Sequence, residues 1–418
     1  MKKNYKRLIF AILLGTQSLS AQTAQGCDGI RYSDDDLFTV STSTTITYGT
    51  NTDVAGNSFD LEMDIYQPAG DAQQKRPLII WSHGGAFIAG DRSDMDGLAM
   101  DFAKRGFVTA TISYRLYPFL QLGVPDSIEM LDAAMKSLGD LKAAIRYFRQ
   151  DADTDNLYRI DTDYILVGGY SAGAIMSTHA AYFDTDDDIP GFVQQILNGN
   201  GGIEGSTGDA TNQSYSSDVA AVLNLSGALH KKEWMSEGEP PMASYHGTAD
   251  DVVPYNHGQA SVFGLDFMSL DGSGLLHERA DDLGIYNFHV AAPDGGHEDS
   301  YDGPFFQYLD AFFAGGSDFL QFVLCGITSS TEDHFETASV NVFPNPGHSK
   351  ISIEVDNYSQ GYHLSLFDQM GRQVRSVHDL NTPIVDMKRA ALASGVYYLQ
   401  VRFNDGSLAP ELLKVVFE

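Results

Sequence analysis

Three stretches of this chain place reactive side chains just beyond short apolar runs. Residues 167–173 read VGGYSAG, with Ser171 bracketed by Gly169 and Gly173. Residues 246–254 read HGTADDVVP, and residues 293–298 read PDGGHE. A serine hydroxyl is a weak nucleophile until an imidazole takes its proton, and the imidazole needs a carboxylate to hold its tautomer. Ser171, Asp250 and His297 supply those groups in that chain order, and together they would attack a carbonyl carbon. Asp250 is preferred to Asp251; one of the pair should face the histidine while the other caps the following turn. Among 12 histidines, His297 follows two glycines that suit a loop bringing it to the serine. His289 lies inside an apolar run and reads as a packed residue.

These groups have to be held by particular elements. A strand that turns at once into a helix leaves almost no room for side chains at the corner; glycines on either side let it bend and thrust the central residue outward. Residues 82–87, SHGGAF, follow another apolar run. Their glycines leave backbone N–H groups free to point into a site, as a tetrahedral intermediate requires. His83 reads as the residue that orders this loop by hydrogen bonding.

Strand patterns occur at 42–49, 59–66, 77–81, 107–113, 164–167, 219–225, 242–245 and 286–291. Between several of them lie helical stretches, such as 128–150, where Met130, Ala134, Leu138, Leu141, Ile145 and Phe148 recur at helical spacing. This alternation runs to about residue 322 and predicts a doubly wound, mostly parallel sheet with its site at the carboxyl ends of the strands.

At 418 residues the chain is long enough for two domains, and 43% hydrophobic with 20% charged residues is ordinary for a folded protein. A net charge of −30 repels nucleic acid and anionic lipid, which excludes a nucleic-acid-binding role. Residues 1–21 carry four cations, an apolar stretch and small residues near Ala21, the pattern of a secretory signal; cleavage could equally fall at Ala24. Loss of Lys2, Lys3, Lys6 and Arg7, with no acid, takes the charge from −30 to −34. No later segment is apolar enough to span a bilayer, so the mature protein is expected to lack a transmembrane helix. Cys27 and Cys325, the two cysteines, could staple the ends of the first domain in an oxidising compartment.

Over about residues 40–320 the chain resembles the α/β-hydrolase fold, and within it the esterase and lipase group of the hormone-sensitive-lipase and carboxylesterase kind. The residues that carry the likeness are SHGGAFIAGD (82–91), SYRL (113–116), VGGYSAGA (167–174), HGTADDVVP (246–254) and DGGHED (294–299). The resemblance implies Ser171 as nucleophile, His297 as base and Asp250 as orienting acid. It places oxyanion donors on the backbone of Gly85, Ala86 and Ala172, with His83 and Gly84 in support. An ester substrate follows, with no metal and no organic cofactor. The acid and alcohol are left open: short acyl esters, acetyl or feruloyl esters of plant polysaccharide, a lipid and a polyester all fit. The chain departs from the pattern at Ala86, where a third glycine is frequent; the backbone N–H survives that change. Residues 28–66 read as strands, where many lipase-like relatives carry cap helices. A serine peptidase of the prolyl-oligopeptidase kind shares HGTADD but normally adds a propeller or similar gating domain, and no such repeat is visible. A non-catalytic surface adhesion protein is the other alternative, against which the complete Ser-Asp-His set argues.

Other stretches read as structure. Asp151, Asp153 and Asp155 resemble the start of a calcium loop, but Thr162 stands where the closing glutamate should be, so a solvated turn is expected. Asp184–Asp188 reads as a charged loop. The Gly/Ser/Thr-rich insertion at 198–217 has the length of a lid or binding loop. Phe119, Leu120 and Trp234 could line an acyl or alcohol pocket, or simply pack.

Beyond Cys325 a polar linker leads into strictly alternating patterns: Ile351, Ile353 and Val355 on one face, Tyr397, Leu399, Val401 and Phe403 on another. A small all-β, immunoglobulin-like sandwich is expected. The motifs VFPNP (342–346), LFDQMGRQV (366–374), LASGVYYLQV (392–401) and KVVF (414–417) resemble the C-terminal sorting domain of type IX secretion systems. That likeness implies passage through the outer-membrane secretion machinery of a Gram-negative cell, with release or attachment to the outer surface. An immunoglobulin-like carbohydrate-binding or adhesion module is the competing reading. The expected organisation is a signal peptide (1–21), a catalytic domain (22–326), a linker (327–337) and a sorting domain (338–418).

Overall fold

The computed structural model describes residues 24–326 and 340–417, apart from 29, 34–35, 42–43, 186, 210, 263, 302–304, 356–360, 368–372, 391 and 404–410. The expected signal peptide and linker lie outside the described residues.

The first unit is built from β1 (Thr44–Thr52), β2 (Ser58–Tyr66), β3 (Arg76–Ser82), α1 (Asp96–Lys104), β4 (Val108–Ile112), α2 (Phe119–Leu122), α3 (Ser127–Asp153), β5 (Ile160–Tyr170), α4 (Ala172–Tyr182), α5 (Gly191–Gly199), β6 (Ala221–Leu225), β7 (Ala228–Leu229), β8 (Met242–Gly247), β9 (His257–Val262), β10 (Leu265–Gly272), α6 (Ser273–Leu283), β11 (Asn287–Ala292) and α7 (Phe306–Cys325). Eight strands form one sheet in the order β1-β2-β4-β3-β5-β6-β8-β11. β1–β2 and β2–β4 pair antiparallel, and every later neighbour pairs parallel.

Successive strand residues point to opposite faces, so buried strands feed two cores. Leu78, Ile80, Ile165 and Val167 join α3, α4 and α6 on one face; Ile79, Trp81, Tyr164 and Leu166 join α1 and α7 on the other. The sheet is therefore doubly wound. α3 is started by a capping box: the Asp126 carboxylate accepts from the N–H of Ile128 and Glu129, and Glu129 accepts from the N–H of Asp126.

Several elements differ from their sequence expectation. β5 begins at Ile160, because its polar first half IDTD extends the apolar run backwards. α3 outruns 128–150 at both ends, and the last helix continues to Cys325. Within 28–66 the strands are confined to Thr44–Thr52 and Ser58–Tyr66, with a lone bridge from Val40 to Pro68. β9 and β10, which sequence periodicity does not reveal, form a hairpin in a separate small sheet with β7.

The insertion at 198–217 is not a lid. It is fastened to α3 by Glu204, which pairs with Lys142 and Arg146, and by Thr207, whose hydroxyl donates to Asp140 at 2.6 Å. Arg115 closes the same knot through a fully buried ion pair with Asp140. The Asp151 carboxylate is spent on the N–H groups of Leu157 and Tyr158, and Asp153 accepts from the Tyr215 hydroxyl.

Cys27 and Cys325 are disulfide-bonded across 298 residues of sequence. The C-terminal unit is two antiparallel sheets: Val340–Phe343, Lys350–Val355 and Ile384–Lys388 in one, Tyr362–Phe367, Gln373–Leu380, Gly395–Phe403 and Glu411–Phe417 in the other. Ile351, Ile353, Val355, Leu364, Leu366, Leu399 and Val401 fill its core. The side chain of Phe403 lies outside the described residues.

Candidate active site

Ser171 sits between the last residue of β5 and the first of α4, with φ 55° and ψ −117°. For a residue with a Cβ this backbone costs about 1–3 kcal/mol and persists only where surroundings impose it. The surroundings do so by crowding. A Cβ on Gly169 would lie 2.6 Å from the Ser82 carbonyl oxygen, and one on Gly173 would be driven into the same oxygen. The end of β3 can press against the corner only because both flanking residues lack side chains. The Ser171 N–H donates to the Leu225 carbonyl at 2.9 Å, and the Ser171 carbonyl accepts from Ile175 to start α4.

The Ser171 Oγ is 2.9 Å from His297 Nε2, and His297 Nδ1 is 2.7 Å from Asp250 Oδ2. All three side chains are buried at the carboxyl ends of their strands. The loops carrying Asp250 and His297 are stitched together: Thr248 N–H donates to Ala292, Ala249 N–H to Gly295, and Asp294 N–H to the Thr248 hydroxyl, each at 2.9 Å. Tyr170 stacks on the His297 ring at 5.3 Å.

Asp250 divides its oxygens. Oδ1 accepts from the N–H of Val252 and Val253, while Oδ2 faces His297 and, at 3.2 Å, Nε2 of His246. The carboxylate itself caps the following turn, and Asp251 is exposed; the expected division of labour between neighbours is replaced by one within a single side chain. Burial works to raise the Asp250 pKa, but hydrogen bonds and charge from His246 and His297 outweigh it and hold the carboxyl well below the usual carboxylate range. His246 is the residue that sequence reasoning passed over. Its signal was present, four positions before Asp250 in HGTADD. It is fully buried, and its Nδ1 lies 2.8 Å from the Ser273 hydroxyl.

Opposite Ser171, Gly85, Ala86 and Phe87 run through consecutive positive φ values of 107°, 55° and 60°. The turn is held by Ile88 and Ala89 N–H on the Gly85 carbonyl. His83 Nδ1–H donates to the Gly84 carbonyl at 2.6 Å, and its ring stacks on Tyr114, whose hydroxyl donates to the His83 carbonyl. Burial lowers the His83 pKa. Gly84 lies against Ser171, where a Cβ would meet that of Ser171 at 3.3 Å. Ala172 is the first residue of α4, so its N–H has no acceptor within the helix.

An apolar cavity opens at Ser171, Ala86 and Ala172 and continues between α3, α4 and the β9–β10 hairpin. Trp234 lines it; Phe119 and Leu120 do not, and Leu120 is fully exposed. His289, half-buried, stacks on the buried His277 ring. Among the described residues no cluster of His, Cys, Asp and Glu is arranged to hold a metal, and no helix is long and apolar enough to cross a membrane.

Residues 63–237 match the BD-FAE family, an α/β-hydrolase esterase domain, and residues 341–414 match the secretion system C-terminal sorting domain. Lipase 1 of Geotrichum candidum is 28% identical over 133 residues, 30% of this chain and 23% of that protein. Carboxylesterase 1D of Mus musculus is 42% identical over 57 residues, 13% of this chain and 10% of that protein. The chain thus spans less than a quarter of the length of these curated relatives. The solved structure of Thermogutta terrifontis esterase 2 phosphonylated by cyclosarin aligns with a TM-score of 0.49 at 20% identity, covering 68% of this chain and 96% of that one. The chain resembles an α/β-hydrolase esterase in the unit that carries Ser171, and a type IX secretion sorting domain in the unit that follows.

Proposed function

We propose that this protein is a serine carboxylic-ester hydrolase exported by a type IX secretion system. The observation that carries the reading is the unbroken line from Ser171 Oγ through His297 to Asp250, with contacts of 2.9 and 2.7 Å. Ser171 Oγ attacks the ester carbonyl while its proton passes to His297 Nε2. The oxyanion is met by the N–H groups of Gly85, Ala86 and Ala172. His297 then gives the proton to the alcohol oxygen as the C–O bond breaks, leaving an acyl group on Ser171. Water, deprotonated by the same imidazole, releases the acid and restores the hydroxyl. Asp250 holds the imidazole in the tautomer that presents Nε2 to the serine and stabilises its charged form. The match at residues 341–414 supports engagement with the secretion machinery and delivery to the cell surface or the medium.

The test is a panel of acyl esters beside a dipeptidyl amide, assayed with purified protein. Ester turnover with the amide untouched is expected. Turnover of the amide at rates equal to the esters would instead make the protein a peptidase.

A further inference from the structure

We infer that His246 is a positioning residue for the reaction: it fixes the Asp250 oxygen that serves His297, and its own ring is set by Ser273 and Asn224. The inference rests on Ser171 being the nucleophile and His297 its base. The His246 ring is fully buried and does not line the cavity at Ser171, so it acts through Asp250 rather than on a substrate.

The hydrogen bonds around the ring fix its proton. His246 Nε2 lies 3.2 Å from Asp250 Oδ2 and 3.1 Å from the Val253 carbonyl. Both oxygens only accept, so Nε2 carries a proton and donates it. Nδ1 is 2.8 Å from the Ser273 hydroxyl, whose other acceptor, the Gly227 carbonyl, is at 3.4 Å. The Ser273 O–H therefore donates to Nδ1, and its oxygen accepts from Asn224 Nδ2 at 3.1 Å. Asn224 is itself held, accepting from Gly227 N–H at 2.8 Å and donating to the Ser244 hydroxyl at 2.9 Å. Asn224 on β6, Ser244 on β8 and Ser273 at the start of α6 are all fully buried. The donors point one way, from Asn224 to Ser273 to His246 to Asp250, and in the interior each bond of such a chain strengthens the next.

Asp250 Oδ2 thus receives an N–H from each imidazole, while Oδ1 receives two from the backbone. A carboxylate gripped at both oxygens keeps its direction when the His297 ring gains and loses charge. The His246 N–H also competes for the oxygen that steadies the imidazolium, so the proton is not held too tightly to return to the leaving alcohol. Other titratable groups face this pair. Tyr255 stands edge-on to His246 at 5.5 Å and stacks on His289, which stacks on His277. Burial lowers the pKa of His277 to about 4 and of His289 to about 3. Burial also pushes the hydroxyls of Tyr255, Tyr170 and Tyr301 above their ordinary range. These buried rings keep one charge state between about pH 5 and 8. Glu298, next to His297, is exposed.

The experiment uses the full chain and p-nitrophenyl butyrate, with kcat and KM followed from about pH 5 to 9. His246→Leu, which fills the space and removes the donor, should lower kcat about tenfold or more and leave KM within about twofold. It should also move the acid limb of the kcat/KM profile up by roughly half a pH unit, since Asp250 then serves the imidazolium alone. His246→Gln, whose amide N–H can reach Oδ2, should recover kcat to within about threefold of wild type and return the limb. Ser273→Ala, which removes only the donor to Nδ1, should move the limb the same way by less. A packing role would let leucine serve as well as glutamine. Equal kcat in those two variants, or an acid limb unmoved in both His246→Leu and Ser273→Ala, overturns the inference and leaves the esterase reading standing. Should His246→Leu fail to fold by circular dichroism, the limb of Ser273→Ala decides alone. If the wild type turns over no ester, or Ser171→Ala keeps its turnover, both fall together.

Discussion

Asp250 concentrates the electrostatics of the site. Two backbone N–H groups fix one oxygen and two imidazoles face the other. Asp250→Asn should therefore reduce ester turnover by roughly 10²–10⁴-fold, while Asp251→Asn, altering an exposed carboxylate, should leave it within about twofold. The pair assayed together checks the register of the loop; a reversed result would mean Asp251 serves the histidine. The same substitution carries a pH signature. A carboxyl whose folded pKa is depressed stabilises the fold above its unfolded value, near pH 4, and that contribution is lost as pH falls further. The Tm deficit of Asp250→Asn should be full at pH 6–7 and shrink towards pH 3. Residue spacing made Asp250, His297 and Ser171 legible, because each follows directly on a strand. His246 was passed over although it stands four positions before Asp250, because its contact with that carboxylate forms only once the strand end has turned back on itself.

At the scale of elements, the corner between β5 and α4 depends on close approach to β3. Gly173→Ala places a methyl against the Ser82 carbonyl, and either the helix or the strand has to retreat. We expect a stability loss of about 2–3 kcal/mol and at least tenfold slower ester turnover, since Ser82 leads directly into the oxyanion loop. Denaturant midpoint and kcat/KM measured together check this; wild-type values for both would mean the corner has slack. The alternation of strands and helices was readable because buried parallel strands are continuous apolar runs. The β9–β10 hairpin escaped because GQASV and LDFMSLDG mix small and polar residues on a half-buried ribbon. The insertion at 198–217 misled for a different reason: its composition is that of a lid, and its anchoring depends on Lys142 and Arg146 of another element.

In the whole molecule, the disulfide joins the two ends of the first unit, and neighbouring contacts reinforce it: Ala24 N–H donates to the Leu324 carbonyl, and Gln321 to that of Arg31. Its partners were legible because the chain has two cysteines placed at those ends. The cavity was not, since its walls come from α3, α4, short loops and a hairpin far apart in sequence. All of these parts converge on a single claim, that Ser171 is a nucleophile activated by His297. The most direct measurement is peptide mass mapping after brief exposure to a fluorophosphonate, which reacts with an activated serine. The account predicts one adduct, on the peptide containing Ser171, with labelling strongly slowed in His297→Ala and ester turnover down by about 10⁴-fold in Ser171→Ala. An adduct on another serine, or wild-type turnover in Ser171→Ala, would contradict it.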